Sequence, residues 1–121
     1  MTTKIIYNSN RVFEVWSYTV SHRQLLIRSN KGNSFPTRLE VLFKDVAFMA
    51  VLPVMRGVTI TECGAVGDEL PSGLNAFQIS KPWYRIETEG AVGYIAAGAI
   101  ATNEDDLGYE EPSSLLSGPL L

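Results

Sequence analysis

From Arg38 to Lys44 the chain sets Leu39, Val41 and Phe43 against Arg38, Glu40 and Lys44 in alternation. A period of two places successive side chains on opposite faces of a pleated strand, one face buried and the other in water. No long run elsewhere repeats apolar residues at helical spacing, so the fold has to be built from strands.

The neighbouring runs fit that constraint. Residues 12–20 (Val-Phe-Glu-Val-Trp-Ser-Tyr-Thr-Val) are dense in β-branched and aromatic residues, and residues 25–29 read as a returning strand after a turn at Ser21-His22-Arg23-Gln24. Residues 30–36 carry the Gly, Asn, Ser and Pro of a loop. Residues 46–54 are apolar throughout and open to two readings, a buried strand or a short helix that Pro53 would end. The valines favour a strand that continues from Lys44 after a bulge. Further strands are expected at 58–61, 77–80, 83–89 and 91–102, the last bent or bulged at Gly93 and Gly98, with a helix over 94–101 as the competing assignment. Residues 64–75 read as a long loop. Gly-Ala-Val-Gly occurs at 64–67 and again at 90–93, marking two corners that follow alternating strands. The expected fold is all-β: a single-domain antiparallel sandwich or small barrel of about six to eight short strands, with little or no helix. Residues 1–103 form the domain. Residues 104–121 read as an acidic connector and a loosely held tail whose leucines, Leu115, Leu116, Leu120 and Leu121, favour an oligomer contact.

Composition narrows the chemistry. With 121 residues, one cysteine and one histidine, no disulfide and no four-cysteine or two-cysteine-two-histidine zinc site can form within the chain. The first residues turn polar after Ile5-Ile6, short of the roughly 7–15 apolar residues of a secretory leader. The uncharged stretch 90–103 is shorter than the about 20 residues that cross a bilayer. A cytoplasmic protein without a membrane partner is expected. Charge is uneven, +5 over residues 1–60 and −8 over residues 61–121. Folding the two halves onto one core would neutralise much of it.

Few constellations suggest chemistry. Cys63 and His22 are the one Cys–His pair available, and their spacing does not predict contact; a lone cysteine is usually a small buried hydrophobe. The Asn103–Ser114 stretch fails as a calcium loop because Leu107 and Ser114 stand where ligands are needed. Gly-Ala-Val-Gly lacks the ending of a phosphate loop. Glu87 and Glu89 read as a solvated pair. No metal or cofactor is expected. Trp16, Tyr18, His22, Arg23 and Arg28 could line an aromatic and basic pocket at a barrel mouth. Trp16 and Tyr18 would otherwise be core residues, and a pI near 5.1 disfavours nucleic acid.

The runs 13–29 (Phe-Glu-Val-Trp-Ser-Tyr-Thr-Val-Ser-His-Arg-Gln-Leu-Leu-Ile-Arg-Ser) and 37–43 (Thr-Arg-Leu-Glu-Val-Leu-Phe) resemble small bacterial β-rich proteins of pleckstrin-homology-like or immunity type. The resemblance implies a mainly-β domain and brings no catalytic residues with it. The chain departs from the pleckstrin-homology pattern in lacking a C-terminal amphipathic helix. Taken together, these features point to a non-enzymatic binding module that recognises a protein partner through a sheet face or edge. A small-ligand or anion binder is the alternative, and a Cys/His hydrolase a remote one.

Overall fold

Six runs of extended backbone close on themselves in a computed structural model that describes residues 4–32, 34–64, 70–75 and 78–116. They are β1 (Lys4–Thr19), β2 (Gln24–Ser29), β3 (Arg38–Ala50), β4 (Val54–Gly64), β5 (Trp83–Thr88) and β6 (Ala91–Asp105). A single helical turn, α1 (Ser72–Asn75), interrupts the segment between β4 and β5. Every pairing is antiparallel, and the strands follow the order β1-β2-β3-β6-β5-β4 around a closed barrel. The fold is therefore all-β, as the alternation requires. Residues 51–53, between β3 and β4, run across one end of the barrel, because β4 pairs with β1 and β5 and not with β3.

Closure follows from how β1 bends. It pairs with β4 from Lys4 to Glu14 and with β2 from Glu14 to Thr19, shifting register three times on the way. Bulges of this kind add twist and turn a strand around a barrel corner. At one of them Gly57 takes a φ of 75° opposite Ser9 and Asn10, a left-handed conformation that a glycine adopts without strain.

Inward-pointing side chains fill the barrel. Phe13, Leu25, Ile27, Val41, Phe43, Ile60, Ile86 and Ile95 form its core with almost no exposure, and Phe43 meets Tyr84 edge-on at 5.7 Å. An interior this narrow is packed by side chains. A second cluster lies outside β4–β6, where Cys63, Trp83 and Ala96 pack under Leu70, Leu74 and Ile79.

Residues 46–50 continue β3, with a register shift between Val46 and Phe48, and residues 94–101 are strand. Gly93 shows why a small residue stands there: a Cβ would lie 2.5 Å from the Ala50 carbonyl oxygen. Three expectations need correction. Residues 78–80 are not strand (Phe77 lies outside the described residues), because Gln78 at a φ of 54° breaks the extended run. Glu104 and Asp105 belong to β6, paired with Leu39 and Arg38, so the strand outlasts the boundary placed at residue 103. Arg38 and Glu40 do point outward, yet neither is exposed to water. Of the two Gly-Ala-Val-Gly corners, residues 65–67 of the first lie outside the described residues.

Replacing Phe43 with Ala should cost about 3–5 kcal/mol in urea denaturation, since its cavity lies in a closed barrel that cannot collapse around it. Val92→Ala, at an exposed position, should stay within about 0.5 kcal/mol. Equal losses at the two positions would contradict this account of the core.

Candidate functional site

The five residues singled out as a pocket divide between two places. Trp16 and Arg28 lie on the outside of the barrel, beneath residues 106–116. Tyr18 lines the barrel mouth, and His22 and Arg23 sit exposed at the tip of the β1–β2 hairpin. The register shift between Val15 and Ser17 causes the split, because it breaks the alternation that would have put Trp16 and Tyr18 on one face. Tyr18 now pairs with the core residue Leu25, while the Arg28 guanidinium lies 4.5 Å from the centroid of the outward Trp16 ring.

The outer face of β2, β3 and β6 carries a row of paired residues, Arg28, Glu40 and Asn103, with Arg38 paired to Asp105 nearby. Residues 106–116 run over this row as a strap. Arg38 uses all five of its donors. Nε and Nη2 donate to the two carboxylate oxygens of Asp105 at 2.9 and 3.1 Å. Nη1 donates to the carbonyls of Gly108 and Glu111, and Nη2 also to that of Pro112. Arg28 Nε donates to Glu40 Oε2 at 2.9 Å, its Nη2 lies in ion-pair contact 2.9 Å from the same oxygen, and Nη1 and Nη2 reach the carbonyls of Tyr109 and Glu111. The Ser113 hydroxyl donates to Glu40 Oε1 at 2.8 Å. Tyr109 meets Trp16 edge-on at 5.0 Å. Residues 106–116 are thus bound mainly through their backbone, contrary to the expectation of a loosely held segment there; residues 117–121 lie outside the described residues.

Burial alone would raise the Asp105 carboxyl, but the hydrogen bonds from Arg38, the Leu107 amide and Asn103 hold it below the usual carboxylate range. Asp45 is also lowered, chiefly by its hydrogen bond from Lys81 at 2.5 Å.

The other place is the barrel end crossed by residues 51–53. Val15, Tyr18, Leu25, Met49, Val51 and Pro53 line an apolar hollow of about 330 Å3 that opens to solvent. Met49, Leu52 and Val54 are large apolar residues exposed around the same connection. Exposed residues of both charges border this end: His22, Arg23 and Lys44 on the hairpin side, with Asp45, which Lys81 and Arg23 both attract, and Glu14 opposite Val54. The pattern of residues does not foretell this hollow, because its lining comes from β1, β2, β3 and the β3–β4 connection, and only closure unites them.

Cys63 and His22 are separated by the fold. Cys63 is fully buried in the outer cluster near the end of β4, where its thiol donates to the Thr61 carbonyl. His22 is at a hairpin tip. Glu87 and Glu89 are exposed. Among the described residues no group of three His, Cys, Asp or Glu is placed to hold a metal ion, and no helix is long and apolar enough to cross a membrane.

Glu40→Ala would strand the Arg28 charge in a buried site, and should cost about 3–5 kcal/mol in urea denaturation. The double replacement Arg28→Met with Glu40→Leu should cost less, as no buried charge is left unpaired; the reverse order would contradict the role given to this pair. The Asp105 carboxyl, lowered on folding, stabilises fully above the ordinary carboxylate pKa, and that stability disappears as pH falls through the depressed value. The stability gap between the wild type and Asp105→Asn, followed by denaturation from neutral to acid pH, should therefore shrink on acidification. A gap that widened would show that the sign is wrong.

Comparison with protein families, curated proteins and solved structures found no match to this chain.

Proposed function

We propose that this chain is a non-enzymatic binding module that takes a protein partner at the open end of its barrel. One observation carries the reading: an apolar hollow is open to solvent at the end of a barrel whose core side chains are almost wholly buried. Large exposed apolar surface of this kind is where protein partners anchor, usually through one bulky side chain in a central pocket. The closed strand order moves the contact surface away from a sheet edge, since every strand has a neighbour on each side. His22 forms no hydrogen bond or ion pair among the described residues, which supports a recognition role over a nucleophile–base pair.

Affinity capture from the native host, followed by binding of the recovered partner to purified variants, tests this proposal. Met49→Glu, at an exposed position, should leave the circular dichroism and denaturation midpoint unchanged and weaken partner binding at least about tenfold. A partner bound equally well by Met49→Glu, or no partner recovered at physiological salt, would refute the proposal.

A further inference from the structure

We draw no further inference here: the strongest candidate, the apolar hollow at the barrel end lined by Val15, Tyr18, Leu25, Met49, Val51 and Pro53, belongs to the site already described, and nothing in the structure shows what covers it.

Discussion

Two guanidinium groups with almost no exposure, Arg28 and Arg38, determine how this molecule is put together. A buried charge left without partners costs several kcal/mol, so each arginine needs acceptors at every donor. The strands supply only part of them, through Glu40 and Asp105. The remainder are backbone carbonyls from residues 108–112, and Lys31 adds a bond to the carbonyl of Asp106 at 2.6 Å. The strap must therefore lie across β2 and β3. The outward Leu26 and Leu42, which alternate with the core residues Ile27 and Val41, are also fully buried. One side of the barrel thereby gains a second layer, and the outer cluster around Trp83 gives another side the same treatment.

What remains uncovered is more informative for that reason. A barrel whose interior is filled and whose flanks are partly roofed still leaves Tyr18, Met49, Leu52 and Val54 open at one end. The surface charges stay mixed: Arg23, Lys44 and Asp45 are exposed near the hairpin end, and Glu110 and Glu111 ride on the strap. Folding the two halves of the chain together neutralises the buried members of each set, Arg38 with Asp105, and leaves others of both signs at the surface.

The period-two run at residues 38–44 and the turn expected at residues 21–24, one residue off the observed 20–23, suffice to place β2, β3 and the hairpin before them, because local alternation and turn chemistry act over a few residues. The strap was beyond such reasoning. Arg38-Leu39-Glu40 looks like any half-solvated strand, since alternation reports which face a residue takes and not what later covers that face. Its acceptors are carbonyls, which every residue has, so residues 108–112 advertise nothing in their side chains. Trp16 and Tyr18 were misjudged as a pair for a similar reason: a bulge adds one residue to a strand and reverses the faces beyond it, without a compositional signature. The hollow depended on barrel closure, a long-range event that brings β1, β2 and residues 51–53 to one rim.

Amide hydrogen exchange across residues 106–116 of the intact chain tests the strap most directly. The amides of Leu107, Glu111 and Leu116 donate to Asp105, Gly108 and Ser113 respectively. They are expected to exchange far more slowly than in a free peptide, with protection that collapses in Arg38→Ala while the β4–β5 amides stay protected. Exchange at the free-peptide rate in the wild type would mean that the arginines do not hold this segment, and the layered barrel described here would be wrong.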